Sequence, residues 1–590
     1  MPNTPDADNR CGACDSRFEN NRKFQTLENS ARELSNHWKK PAWIFFRSLA
    51  VFIASLSAID AHALGPHEIA LLVNGGSPAS REIANTWAKL RGVPPENIIT
   101  LDLPADFGGA NSTITPDEFT QRIWTPATNA IAKRGIADHL IAWVYSAGFP
   151  TAISYDPPVS IHGMTFVRGR LPSRDDVNKA TFSSPLFRGP GVANGPQGKS
   201  VSLEQFAANL GTNYPLPAMT LGHVAPRGLP VADILEALKF SIRADCLRPE
   251  GAVNFVMSDD VRSTCRAWEV PGTVEELERL GVKTLVTTNV PDTRMPLIGL
   301  QAGSARIEGF LEAKLQAGSM AEHLTSFGAA FGTDDQSKIT LWQKAGAAGT
   351  AGTVSEPFAL WPKFPHARFF AHYAGGCTML ESFYESIASP MQIFLLGDPL
   401  ARPYGHTREL SLLCLSGHED AIIGSAEFAA TDNSGAKPYD LVFIFFLDGA
   451  TLPGDGTSAG FKIDTKQLDD GWHELRVIGY TKSDVREQSF AVERFGVNNH
   501  GRGVKIKSPV ASRIESSSAV EFKLEAAGGP ASFEIMAQDR VIATATNATL
   551  SVDLGKAGPG PVRIQAIAKF ADGGIVRSRP QWIEIKPPAQ

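Results

Sequence analysis

Cys377 and two serines stand where a nucleophile would be sought in this chain, and none has a base at a spacing that fixes the pair. Cys377 sits in Gly375-Gly376-Cys377-Thr378, at the expected start of a helix, where backbone amides lower a thiol pKa. His372 lies five residues upstream across a glycine pair, and nothing in that spacing brings imidazole to thiol. Ser326, in Thr325-Ser326-Phe327-Gly328, and Ser146, after an apolar run, are serines without a positioned base. Asp259-Asp260 with Arg262 follows a buried-looking strand, where active-site groups of parallel sheets gather. A surface ion pair is the reading favoured for them. Glu356 and Asp398 fall in glycine-rich loops, where a carboxylate lacking an acid–base partner accepts backbone amides. His162 and His323 read as satisfied polar groups in apolar surroundings. Ser146, Asp260, Arg262, Ser326, Glu356 and Asp398 are therefore candidates for ligand binding, and no catalytic residue is assigned.

The six cysteines add little chemistry. Cys11 and Cys14 form half of a zinc site with no second ligand pair nearby, whereas a structural zinc takes four ligands. No metal or cofactor is expected. Cys246 and Cys265 flank an expected strand and are the candidate disulfide in an oxidising compartment. The other reading leaves Cys246, Cys265, Cys377 and Cys414 as buried thiols. A net charge of -6 over 590 residues offers no reason to expect nucleic acid as a partner.

Compartment is read from the N-terminal segment. Lys39, Lys40 and Arg47 precede the apolar stretch Ser48 to Ala58, and Ala61-His62-Ala63 supplies a small-x-small exit. Charged flank, short apolar core and small-residue exit make a secretory signal, with cleavage before Leu64. A retained membrane anchor is the alternative, but Arg47 and Asp60 cut the run below the ~20 residues a spanning helix needs. The mature protein is expected to be periplasmic or extracellular, touching the membrane only if the segment stays uncleaved.

Behind these residues lie the elements that must position them. From Leu64 to about Gly405, strand and helix signals alternate: a strand at His67 to Val73, a helix at Ser80 to Leu90, a strand at Asn97 to Leu103. Thr115-Pro116-Asp117-Glu118 is a capping box that opens a second helix, and His139 to Tyr145 is the third strand. Such a series implies a parallel sheet flanked by helices. Tyr155 to Leu229 reads as a long Pro- and Gly-rich insertion. A helix at Val231 to Ile242 and strands at Val253 to Met257, Val282 to Val286 and Gln392 to Leu396 follow. After Gly405, short apolar strands separated by Asp-Gly turns suggest two β-sandwich, immunoglobulin-like modules, 406–500 and 504–590, behind an α/β domain at 64–405. The abrupt change of composition suggests that the sandwich pair folds by itself.

Gly346-Ala-Ala-Gly349-Thr-Ala-Gly-Thr353-Val354-Ser355-Glu356-Pro357, Gly397-Asp398-Pro399-Leu400-Ala401-Arg402-Pro403 and Leu324-Thr325-Ser326-Phe327-Gly328 together carry a resemblance. With Val73-Asn74 and the Arg91-to-Ile98 segment, they resemble an uncharacterised secreted bacterial family of genomes with the exosortase sorting system. More distantly, the α/β part is similar to the gingipain-like cysteine peptidases, which implies a caspase-like sheet. Those enzymes carry a His after one central strand and a Cys after the next. Here the matching places read Ser146-Ala147-Gly148 and Thr325-Ser326-Phe327-Gly328. The expectation is thus a secreted, non-catalytic binding or scaffolding protein of the bacterial envelope, with an envelope protein or polysaccharide as partner. The alternatives are a hydrolase with a site at the C-terminal edge of the sheet and a carbohydrate-binding surface protein.

Overall fold

The computed structural model describes residues 63–587, apart from 108, 110–111, 190–198, 290–293, 407–408, 418–420, 435–440, 455, 510 and 516–518. Cys11, Cys14 and the apolar run of the signal therefore lie outside the described residues.

Ten strands form the main sheet: β1 (Ile69–Asn74), β2 (Ile98–Leu101), β3 (Ala142–Tyr145), β4 (Ala218–Thr220), β5 (Ala252–Val256), β6 (Lys283–Thr287), β7 (Pro296–Gly303), β8 (Lys314–Leu324), β9 (Gly349–Thr353) and β10 (Ile393–Gly397). Their spatial order is β2-β1-β3-β4-β10-β9-β8-β7-β5-β6. Unbroken apolar strands such as β1 arise because both faces are covered. Leu71 and Val73 pack with Ile83 and Trp87 on one face, while Ala70 and Leu72 pack with Phe119 and Ile123 on the other. Helix α1 (Pro78–Arg91) is opened by the Ser77 side chain and closed by Gly92 in the left-handed conformation. Among the described residues no helix is long and apolar enough to cross a membrane.

The sheet is parallel only within each half. β10 pairs antiparallel with β9, placing Gly397 opposite Gly349 and Ile393 opposite Thr353. All other pairings along the sheet are parallel. The C-terminal ends of β2, β1, β3, β4 and β10 thus share one edge, and those of β9, β8, β7, β5 and β6 share the opposite one. A single C-terminal edge, expected for a uniformly parallel sheet, does not exist here.

The Tyr155 to Leu229 insertion is more ordered than its composition suggests. It supplies β4 and helices at Ile161–Phe166, Arg174–Lys179 and Leu203–Leu210. β7, β8 and β9 carried no alternating pattern in the sequence. β9 reads Gly-Thr-Ala-Gly-Thr because neighbours approach its backbone closely: a Cβ on Gly349 would stand 2.4 Å from the Met379 sulfur.

The C-terminal third consists of antiparallel sheets in two layered units, each with its own apolar core. One core includes Phe428, Phe443, Leu475 and Val477; the other includes Phe522, Ile535, Val562 and Ile564. Strand Gly471–Thr481 of the first unit meets Ile575–Arg577 of the second through Gly471 and Arg577, so one sheet continues across both units. The Gly496 to Gly503 connection is held by Asp470, which accepts the backbone N–H groups of Asn499, His500 and Arg502. The α/β part and these units pack as one compact body. Asn85 Nδ2 donates to the carbonyls of Ala557 and Pro559, and Asp539 accepts from the backbone N–H and hydroxyl of Thr100.

Candidate functional site

The candidate residues divide between the two edges of the sheet. Ser146 and Asp398 follow β3 and β10 at one edge; Asp260 with Arg262, Ser326 and Glu356 follow β5, β8 and β9 at the other. Most are occupied by local architecture. The Ser146 hydroxyl donates to the Ser80 carbonyl at 2.6 Å. Asp398 is fully buried, and its oxygens receive the Trp87 indole N–H, two donors of Arg91, the Ser241 hydroxyl and the Leu400 N–H. Arg91 also pairs with Asp245, and although burial opposes its charge, the two carboxylates hold its pKa above the ordinary value. Asp260 caps the short helix Val261–Thr264 and pairs with Arg262 at 3.2 Å. Glu356 accepts the Phe358 N–H at 2.8 Å, and the Ser326 carbonyl accepts the Thr353 hydroxyl at 3.0 Å.

Cys246 and Cys265 are free thiols, as are Cys377 and Cys414, so the candidate bridge is absent. The Cys246 N–H donates to the Arg402 carbonyl ahead of β5, whereas the Cys265 thiol donates to the Arg262 carbonyl at 3.7 Å beyond it. Cys377 is wholly buried beside Ala63 and Val485, and burial pushes its thiol well above the usual value. His372 does not activate it. Its Nδ1 lies 3.1 Å from the Ser200 hydroxyl and 2.9 Å from Glu385, and burial drives the ring down to about 3. His162 accepts the Leu395 N–H and lies 2.9 Å from the Thr220 hydroxyl, while His323 accepts the Trp342 indole N–H at 3.0 Å. Among the described residues no group of three or more His, Cys, Asp or Glu is placed to hold a metal ion.

Two of the cavities among the described residues are roomy enough for a small ligand. A cleft of 290 Å³ lies where the α/β part meets both C-terminal units, lined by Glu96, Arg134, Trp472, His473, Glu474, Arg494 and Asp539, among others. Much of its charge is neutralised internally: Arg134 pairs with Asp539 at 3.1 Å, Arg494 with Glu474 at 2.8 Å. That pattern cements an interface.

The second is an open groove of 400 Å³, lined by Trp268, Glu269, Gly272, Thr273, Glu276, His366 and Arg368. It lies past the end of β5, at the C-terminal edge of the second half-sheet, where parallel sheets place ligands. Trp268 is 49% exposed and meets the rings of Trp361 and His366 edge-on at 5.2 and 5.3 Å. Beneath it, Glu269 (3% exposed) and His366 (1% exposed) form the floor.

The sheet itself sets that floor. Arg266 is ion-paired with the buried Glu322 of β8 and donates to the Ala302 carbonyl of β7 at 2.6 Å. Arg266 and Gln301 of β7 both donate to the Pro365 carbonyl, which fixes the chain just before His366. His366 Nδ1 accepts the Arg368 N–H at 3.0 Å, so a neutral ring carries its proton on Nε2. Glu269 Oε2 accepts the Ala367 N–H at 2.9 Å. Glu269 Oε1 and His366 Nε2 have no hydrogen-bond partner among the described residues. Burial, with a smaller push from Glu322, raises the Glu269 carboxyl to about 8 despite Arg266; burial, aided by Arg368, lowers His366 to about 3. At neutral pH both groups carry a proton, and the two unpartnered atoms are buried beneath the groove surface. Glu276, the neighbouring carboxylate, is tied to Arg368 by bonds of 2.7 and 2.9 Å. Sequence reasoning pointed to the end of β5 at Asp260 but not to Trp268, Glu269 and His366, because His366 joins the groove from 97 residues away.

No protein-family model and no curated protein matches the chain. Parts of it resemble solved structures. The fibronectin(III)-like modules of Clostridium thermocellum CbhA are 19% identical over 30% of this chain and 94% of theirs, with a TM-score of 0.13. A Bacteroides ovatus protein, SGBP-B of a mixed-linkage glucan utilization locus solved with a mixed-linkage heptasaccharide, is 13% identical over 30% of this chain and 47% of its own, at a TM-score of 0.18. The Ig1-2 module of the Drosophila receptor protein tyrosine phosphatase DLAR is 12% identical over 30% of this chain and 99% of its own, at 0.14.

Proposed function

We propose that the protein is an exported, non-catalytic binding protein of the bacterial envelope that holds one sugar unit of a glycan in the Trp268 groove. The export and the exosortase setting follow from the signal-like N-terminal segment and the family resemblance; the caspase-like and immunoglobulin-like readings of the two parts belong to the same proposal. The observation that carries the ligand class is the pair of proton-bearing groups, Glu269 and His366, beneath a half-exposed indole. Sugars present apolar C–H faces that stack on aromatic plates and hydroxyl oxygens that accept from fixed donors. A desolvated donor left without a partner costs about 1–3 kcal/mol, which a hydroxyl-bearing ligand recovers.

Glu269 alone also supports the hydrolase reading, since a carboxyl raised towards neutrality is what a glycosidase acid requires. The usual second carboxylate must be free on the other side of the bond. Glu276 is held by Arg368 instead, and binding without turnover is the better reading. The test is calorimetric titration with a panel of neutral oligosaccharides, followed by chromatography of the recovered sugar. Binding with intact recovery supports the proposal. Shortened products establish the hydrolase, and heat-silent titrations with every sugar contradict both.

A further inference from the structure

The chain at the expected cleavage point is seated on carboxylates. Leu64 N–H donates to Glu381 Oε1 at 3.1 Å, and Gly65 N–H donates to Glu68 Oε2 at 2.7 Å. Glu381 is buried, and its Oε2 is occupied by the N–H and hydroxyl of Thr378 in the capping box of helix Met379–Ser386. Its Oε1 also takes the Leu203 N–H at 3.1 Å. Glu68, equally buried, accepts from Gln488 Nε2 at 2.8 Å. Among the described residues no basic side chain is paired with either carboxylate. Burial, and for each the negative potential of a neighbouring glutamate, raises Glu68 to about 8 and Glu381 to about 7. Two buried acids without a cation form a costly arrangement.

We infer that Leu64 is the processed N-terminus and that its α-ammonium is the missing cation, held by Glu381 with Glu68 beside it. The inference rests on the export reading. Water, delivered by the membrane peptidase that processes exported chains, hydrolyses the Ala63–Leu64 amide. The bond between the Ala63 carbonyl carbon and the Leu64 nitrogen breaks, Ala63 leaves with a carboxylate, and Leu64 keeps an –NH₃⁺ group. Ala63 and Leu64 are both buried in the folded chain, so the cut precedes folding and folding then captures the new terminus. An ammonium there keeps the Glu381 contact that the amide N–H makes and adds a charge. Loss of Ala63 removes its bonds to the Arg486 carbonyl and the Gln488 amide, but Gln488 retains Glu68.

The full chain, produced with its own N-terminal segment in a Gram-negative host and recovered from the periplasm, tests this in two stages. Intact mass should place the terminus at Leu64. Reductive dimethylation at pH 7 should then modify the surface lysines while the Leu64 amine reacts at least tenfold more slowly, and in guanidinium the amine should react freely. The isosteres Glu381→Gln and Glu68→Gln should each speed labelling of the folded protein severalfold. Protection that survives both substitutions indicates burial alone and overturns the capture, as does a Leu64 amine that labels as fast as lysine. Should neither variant fold, the titration of the wild-type Leu64 amine decides: a pKa held above the ordinary ~7.7 of an α-amino group is expected, and one at or below it indicates burial alone and overturns the capture. A terminus at any other residue overturns the processing site, and a chain retained in the cytoplasm overturns export itself.

Discussion

At Asp398 two carboxylate oxygens accept hydrogen bonds from Trp87, Arg91, Ser241 and Leu400, binding helix α1, helix Val231–Ile242 and the loop after β10 into one knot. Removing one partner of a buried pair costs about 3–5 kcal/mol because the other charge is left uncompensated. Asp398→Asn, which leaves Arg91 with Asp245 alone, should lower unfolding stability by about 3 kcal/mol in urea denaturation. A change below ~0.5 kcal/mol would show that Asp245 suffices. The sequence marked Asp398 as special through its Gly-Asp-Pro setting. What it could not show was the role, since Arg91 and Trp87 lie more than 300 residues away. Glu269 and His366 were invisible for the opposite reason: each is an ordinary residue in an ordinary segment, and only tertiary burial leaves each with an unpartnered atom beneath the groove that both line.

Among elements, the antiparallel pairing of β9 and β10 decides where chemistry can collect. It sends the C-terminal ends of the two half-sheets to opposite edges, and with them the residues that a uniformly parallel sheet would gather. Strands with apolar runs, β1, β3, β5 and β10, were legible in the sequence, as was helix Val231–Ile242 to the residue. β8 and β9 were not, because Ser319, Glu322 and His323 are buried polar residues and β9 is made of small ones. The groove gives this edge a pH response. The Glu269 carboxyl lies at about 8 in the folded state, above its usual ~4.3. Its contribution to stability is therefore whole below about pH 4 and lost as pH rises towards 8. In the proposed sugar site the same proton is the donor to ligand, so affinity should fall severalfold between pH 7 and 9 in calorimetric titration. Affinity that is flat across that interval would remove Glu269 from the site.

For the whole molecule, a polar seam joins the α/β part to the C-terminal units whose independent folding composition suggested. Asn85, Thr100, Arg134 and Asp539 form it, and none had a pattern by which the sequence could announce an interface. Calorimetric melting should show one transition for the intact protein, and Asp539→Ala should lower or split it by freeing Thr100 and Arg134. Two well-separated transitions in the unaltered protein would restore the independent modules. The claim on which the account turns is that the Trp268 groove holds a sugar. Its most direct measurement is the dissociation constant of the best oligosaccharide for the native protein and for Trp268→Ala at pH 6. A loss of tenfold or more, about 1.4 kcal/mol, with the melting temperature unchanged, is the expected result; equal affinity in the two proteins would contradict it.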